Sequence, residues 1–347
     1  MTSELATQYL GLELNSPVIV GACPLTIEPE TVRQLVEAGA GAIVLPSILQ
    51  EQIVHRMMKP NDPLGAIERS GYQPQHDKYN GGAEEYLRSI AALKERCSVP
   101  IIASMNGAST GEWLEYAKEI ESAGADALEF NLQSAIFDPD VSSDAIESNL
   151  CNIVKGVVDR VRIPVAAKIG QRYTNVASMT RQLKDAGVKG IVLFTHLPHW
   201  DISTDRMHWT VRWELSPAGS LGGILEGIVR VRGANPQLSL AASGGVITSE
   251  DAIKAMIAGA DVVMVTSAIY REGPDAVRNM VDGIGRHIDL SHHRSLAELL
   301  DSRSVMKLGP EKLTWLETVD SLTVNKHYLD PTPAASHATG DKFGHRL

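Results

Sequence analysis

The chain has 347 residues, a formal net charge of −10 at pH 7, 44% hydrophobic but only 5% aromatic residues, and 29 glycines. This acidic balance excludes binding of nucleic acid through a broad basic surface, which draws its affinity from neutralised phosphates. Cys23, Cys97 and Cys151 are widely spaced and odd in number, the pattern neither of a disulfide framework nor of the close cluster that holds zinc or an iron–sulfur centre.

The opening segment, Met1–Gln8, is short and polar and lacks the charged-then-apolar layout of a secretory signal. No run approaches the ~20 apolar residues of a membrane span, so the expectation is a soluble cytoplasmic protein with no membrane contact. Tyr9–Ser16, with Gly11 in its middle, reads as a short hairpin. Eight apolar runs of strand length follow: Pro17–Ala22, Ala42–Leu45, Pro100–Ser104, Ala127–Phe130, Pro164–Lys168, Gly190–Phe194, Leu238–Ala242 and Val262–Val265. Amphipathic helical patterns lie between them, among them Thr31–Ala38, Glu112–Ser122, Ser148–Val158, Ser178–Asp185 and Ser249–Ile257. Several end in an Ala-Gly-Ala step whose glycine suits a left-handed helix cap, with the next strand just after it.

Eight such units predict an α/β fold, a (β/α)8 TIM barrel, with the hairpin covering its bottom. A doubly wound open sheet is the alternative, but its first turn is usually glycine-rich, and here the first strand leads into Cys23-Pro24-Leu25-Thr26. Gln50–Tyr79 is a long polar insertion after the second strand and a candidate lid. Beyond Arg286 a C-terminal helical extension is expected, over Leu296–Asp301 and Pro310–Thr318. Asp330–Leu347 is rich in Pro, Ala, Ser, His and Gly. Residues 1–326 are therefore expected to form a single domain and 327–347 a disordered tail.

Barrel ligands meet the C-terminal ends of the strands, and these exits are polar. They read Ser104-Met105-Asn106-Gly107, Asn131-Leu132-Gln133-Ser134, Lys168-Ile169-Gly170, Thr195-His196, Ser243-Gly244-Gly245 and Thr266-Ser267. Glycines after the seventh strand leave amides uncovered, and hydroxyls after the eighth can donate, so the pair favours a phosphate. The plainer reading is that Gly244 and Gly245 only make a tight turn. Lys168 is costly inside a barrel mouth unless it meets an anion or acceptor, which leaves a ligand's ring edge or an ion pair with Glu129. Asn106 and Asn131 offer paired donors and acceptors to a planar heterocycle.

The segments "YLGLELNSPVIVGACPLT", "EFNLQS", "VAAKIG" and "SGGVITSEDAIKAMIAGADVVMVTSA" resemble the dihydroorotate dehydrogenases of the soluble class-1-like branch, from about Tyr9 to Gly285. A bacterial side branch of that family is more similar still, in "LFTHLPHWDI". The resemblance implies FMN, with its phosphate on Ser243, Gly244, Gly245, Thr266 and Ser267 and its ring against Ala22 and Cys23. Asn106, Asn131, Lys168 and Thr195 would lie at the ring's polar edge. It implies oxidation of dihydroorotate to orotate in pyrimidine biosynthesis, with hydride to flavin N5 and proton removal by Ser134, whose bland alternative is a turn. It further implies a homodimer. The electron acceptor stays open between fumarate, a quinone, oxygen and a separate acceptor protein.

The chain departs from the family pattern at Pro46, Ala135 and Ile136, where a lysine, a proline and an orotate-binding asparagine are usual, and at Thr195. The family's glycine-rich loop after the sixth strand is not evident in "WELSPAGSLGG". A different small cyclic or unsaturated substrate is therefore a second reading. A flavin-free phosphate-binding lyase or isomerase is a third.

Overall fold

A computed structural model describes residues 5–60, 79–132 and 138–303. Eight parallel strands close a ring. They are β3 (Val18–Val20), β4 (Ala42–Val44), β6 (Ile101–Asn106), β7 (Ala127–Leu132), β8 (Val165–Ile169), β9 (Gly190–Leu193), β12 (Ser239–Ser243) and β13 (Val262–Val265). Neighbours pair in chain order, β4 pairs with β6, and β13 returns to β3, which closes the (β/α)8 barrel. A two-residue strand, β5 (Ile48–Leu49), continues the β4 side and pairs with the end of β6.

The expected hairpin is present as β1 (Thr7–Tyr9) and β2 (Leu12–Leu14). Tyr9, Leu10 and Leu14 plug the barrel interior beneath Ala42, Ala127, Ala166 and Ala241. The second, larger core lies between the strands and the surrounding helices, as burial of both sheet faces demands.

The helices are α1 (Pro29–Glu37), α2 (Gln50–Met58), α3 (Gly82–Arg96), α4 (Tyr116–Ser122), α5 (Ser143–Val158), α6 (Val176–Asp185), α7 (Gly222–Ala234), α8 (Ser249–Ala258), α9 (Ser267–Glu272), α10 (Asp275–Leu290) and α11 (Leu296–Asp301). Proline opens α1, and Thr248 with Asp251 makes a capping box at α8. Five of the described helices end on glycines with positive φ: Gly39 (104°), Gly124 (100°), Gly187 (108°), Gly259 (132°) and Gly273 (65°).

The aspartates that follow two of these caps have a separate task. Asp126 accepts from the amide of Ile101 and from Lys94 Nζ, each at 2.7 Å. Asp261 accepts from the amide of Leu240 at 2.9 Å and from Arg232 Nη2 at 2.7 Å. Each carboxylate fastens the start of the preceding strand, and both sit at the bottom of the barrel.

Two findings modify the reading of the connections. The insertion after the second strand begins as the helix α2, with Gln52 and Ile53 buried, whereas 61–78 lie outside the described residues. Between β9 and α7 the chain forms a second hairpin, β10 (His199–Ser203) and β11 (His208–Arg212), which the sequence reading did not separate from the loop. Of the C-terminal extension Leu296–Asp301 is helical, while Pro310–Thr318 and 327–347 fall outside the described residues. Among the described residues no helix is long and apolar enough to cross a membrane, and no group of three His, Cys, Asp or Glu side chains is placed to hold a metal.

Candidate active site

Strand register brings the polar exits into one row. Asn106 pairs with Asn131, and Asn131 with Lys168, across β6, β7 and β8. Cα partners in a parallel sheet share a face, so all three belong to the mouth side of the barrel interior. Glu129, two residues before Asn131, occupies the same face one layer deeper and is 1% exposed. Lys168 is 8% exposed, with its Nζ 3.4 Å from Glu129 Oε1. The two readings of Lys168 therefore coexist: it stands in the mouth and it is paired with Glu129.

The pairing is loose, and much acceptor capacity is left over. Asn106 Nδ2 donates to the Asn131 carbonyl at 3.1 Å. Asn131 Oδ1 and both Glu129 oxygens are buried and accept no hydrogen bond from the described residues. Unsatisfied buried acceptors cost ~1–3 kcal/mol each, a penalty that a donor-bearing ligand edge would relieve.

Across the mouth, Gly244 and Gly245 follow β12 with φ of 94° and 66°, conformations that side-chain-bearing residues rarely adopt. A Cβ on Gly245 would lie 2.8 Å from Ser220 Oγ and 3.0 Å from the Leu221 amide nitrogen. A Cβ on Gly21 would lie 2.7 Å from Thr266 Oγ1. The turn thus abuts the start of α7, whose first residues are Gly222 and Gly223. The glycine-rich segment that the sequence reading found lacking after the sixth strand is this helix start, a third wall beside the two turns. The apolar run Ile224, Ile228, Val231 is its sequence signal, at i, i+4 and i+7. Ser267 Oγ accepts from the Ser216 amide at 3.0 Å, and Arg271 Nη2 donates to the Ser216 carbonyl at 2.7 Å, fastening the loop after the second hairpin to α9.

Cys23, at the β3 exit, is buried beside Ala22. Burial pushes its thiol up, opposed by hydrogen bonds from the Leu25 and Thr26 backbone and by the Lys168 charge. Tyr270 lies within hydrogen-bonding reach of the thiol, and burial pushes its own phenol up to about 12. Neither tyrosine near Cys23, Tyr79 or Tyr270, was anticipated. Thr195 is buried at the β9 exit, its amide donating to the Ile169 carbonyl at 2.8 Å. Desolvation lowers the His196 imidazole, against a hydrogen bond with the Glu214 backbone, and its ring centroid is 5.8 Å from that of Trp213. Ser134, Ala135 and Ile136 lie outside the described residues.

The residues present suit a flavin phosphate and ring. A three-walled glycine cradle faces a row of amide and ammonium groups, and a Cβ at Gly21 or Gly245 would intrude on it.

Comparison with known proteins agrees. A profile of the family described as "Dihydroorotate dehydrogenase" matches residues 4–288. A protein of Aeropyrum pernix named "Putative dihydroorotate dehydrogenase A (fumarate)" is 29% identical over 86% of this chain and 96% of its own length. Proteins named "Dihydroorotate dehydrogenase B (NAD(+)), catalytic subunit" are similar too. That of Methanocaldococcus jannaschii is 26% identical over 81% of this chain and 92% of its own length. That of Pyrococcus abyssi is 24% identical over 85% and 98%. The chain belongs to the dihydroorotate dehydrogenase family, oxidoreductases of CH–CH groups that are generally flavin-dependent.

Proposed function

We propose that the chain binds FMN at this mouth and oxidises dihydroorotate to orotate. The observation that carries the reading is the Asn106–Asn131–Lys168 row, with its unsatisfied acceptors, facing the cradle of Gly222, Gly244 and Gly245. The backbone amides of those glycines, with Ser243, Thr266 and Ser267, hold the phosphate. Ala22 and Cys23 form one wall for the ring. Lys168, whose Nζ lies 3.4 Å from Glu129 Oε1, and the Asn106 and Asn131 amides donate and accept at the ring's polar edge. When bound, FMN supplies a two-electron acceptor. Ser134 takes the substrate proton, with help from a neighbouring base or water, because an unassisted hydroxyl is a poor base at neutral pH.

The test is anaerobic flavin reduction by stopped flow with a panel of cyclic amides. Purified protein is expected to be yellow, to release FMN on denaturation and to bleach with dihydroorotate. Ser134→Ala is expected to slow bleaching far more than it weakens ligand binding. A colourless protein that cannot be reconstituted overturns the reading.

A second substrate reading rests on Pro46, Ala135 and Ile136, which replace a charged and an amide-bearing contact with apolar groups. Bleaching by another panel member, and not by dihydroorotate, selects it. The relatives' names point to fumarate in one case and to an NAD(+)-linked catalytic subunit in the others, so fumarate and a separate acceptor protein are both candidate electron acceptors, and the chain is proposed to act as a homodimer.

A further inference from the structure

One buried carboxylate is held in a way that stability alone does not explain. Glu129 is 1% exposed, yet neither of its oxygens accepts a hydrogen bond from the described residues. Lys168, its ion-pair partner, stands off at 3.4 Å, beyond the ~2.7–2.9 Å of a charge-assisted hydrogen bond. At the other end of the barrel, Asp261 has the contacts of a structural carboxylate. It takes Arg232 Nη2 at 2.7 Å and the Leu240 amide at 2.9 Å, and Arg303 Nη2 lies 3.3 Å away. A buried ion pair is often no more stable than well-packed apolar side chains of the same volume, and departures of this kind gather at functional sites.

Register sets Glu129 level with Ser104 and Ala166, one layer beneath the row of Asn106, Asn131 and Lys168. The row therefore stands between this carboxylate and a ligand in the mouth. Around it the barrel interior is apolar, lined by Ala42, Val44, Ala166, Val192 and Ala241, so its charge is weakly screened. The Tyr9 and Tyr86 phenols are pushed well above their ordinary range by burial first, with the Glu129 charge among the further causes. We propose that Glu129 is a positioning residue that acts through Lys168 and holds the reduction potential of the bound flavin low. The inference rests on the reading of the mouth as an FMN site. An ammonium carries three donors, so Lys168 can serve Glu129 below and the ring's polar edge above, and the carboxylate limits how far it leans to the ring. A hydride taken from dihydroorotate brings two electrons and one proton, and with them one negative charge, to the ring. Glu129 opposes that charge, both by drawing on Lys168 and through the dry interior. Its effect is to favour passing the electrons on to the acceptor over holding them.

The experiment is a redox titration, followed by visible absorbance, of the flavin-loaded full chain. Glu129→Gln keeps the side chain's shape, Glu129→Asp keeps its carboxylate, and Asp261→Asn removes a carboxylate at the floor. Glu129→Gln is expected to retain flavin and to favour its reduced form about ten- to a hundredfold, a rise of ~30–60 mV for two electrons. Glu129→Asp is expected to return most of that change, and Asp261→Asn to leave the potential where it is. In a Lys168→Met background the Glu129→Gln shift is expected to be smaller, as a double-mutant cycle reads it. Equal potentials in wild type and Glu129→Gln, or a fall, overturn this inference and leave the FMN reading standing. An undiminished shift in the Lys168→Met background overturns the route through Lys168. Loss of flavin or of the fold in Glu129→Gln marks a purely structural carboxylate and overturns the inference too. A wild type that takes up no flavin overturns the FMN reading itself, and this inference with it.

Discussion

The bottom and the mouth of this barrel treat buried polar groups in opposite ways. At the bottom, every donor direction of Arg232 that is used ends on an acceptor: the carbonyls of Gly259, Pro236 and Leu238 and the carboxylate of Asp261. At the mouth, Glu129 and Asn131 keep acceptors that no described residue fills. Satisfied buried polar groups stabilise and fix geometry, whereas unsatisfied ones store a penalty that a ligand can relieve. The difference separates residues that hold the ring together from residues left with acceptors that a ligand would fill.

The comparison can be broken most severely at Lys168. Lys168→Met leaves the Glu129 carboxylate buried without a cation and removes the one ammonium of the row. Flavin reduction is expected to fall by about a hundred- to a thousandfold, with a loss of ~3 kcal/mol in urea unfolding. Rates within tenfold of wild type would place Lys168 outside the chemistry. Gly245→Ala comes next, since a Cβ there meets Ser220 and Leu221 and the φ is left-handed. Flavin affinity by fluorescence titration is expected to drop about a hundredfold. Asp261→Asn attacks the bottom instead: a loss of ~2 kcal/mol in unfolding free energy, seen as a lower thermal midpoint, with the rate of flavin reduction unchanged. A slower rate in that variant would erase the distinction between the two ends. The smallest effect concerns Cys23. Burial raises all three thiols, but Cys23 is buried while Cys97 and Cys151 are half-buried, so access decides, and iodoacetamide mapped by peptide mass is expected to label Cys97 and Cys151 well before Cys23.

Much of the bottom was legible in the sequence because its devices are local. The Ala-Gly steps announce helix caps, and Gly39, Gly124, Gly187 and Gly259 all carry them. The arginine partners of Asp261 lie 29 residues away at Arg232 and 42 away at Arg303, so no local pattern names them. At the mouth, Asn106, Asn131 and Lys168 were readable as strand exits, but their common row depends on register between strands, a non-local quantity. The Gly222 wall was hidden because fourteen residues of hairpin and a linking loop separate it from β9, displacing the glycines from their habitual distance after the strand. The hairpin escaped for a related reason. Its alternation of Trp200, Ile202 with Trp209, Val211 is strand-like, but it follows a proline and interrupts a βα unit where a helix is expected.

The pairing of β13 with β3 also orders the assembly of the molecule. Tyr9 and Leu10 dock against segments that follow them by more than 200 residues, with the Leu10 amide donating to Ser239 Oγ and Thr7 Oγ1 to the Asp261 carbonyl. During synthesis the earliest strands must therefore wait, half-covered, until Val262–Val265 leaves the ribosome. Only then do ring closure and the sealing of its floor happen together, which makes late-stage pausing near that segment the time at which a nascent chain is most exposed to aggregation.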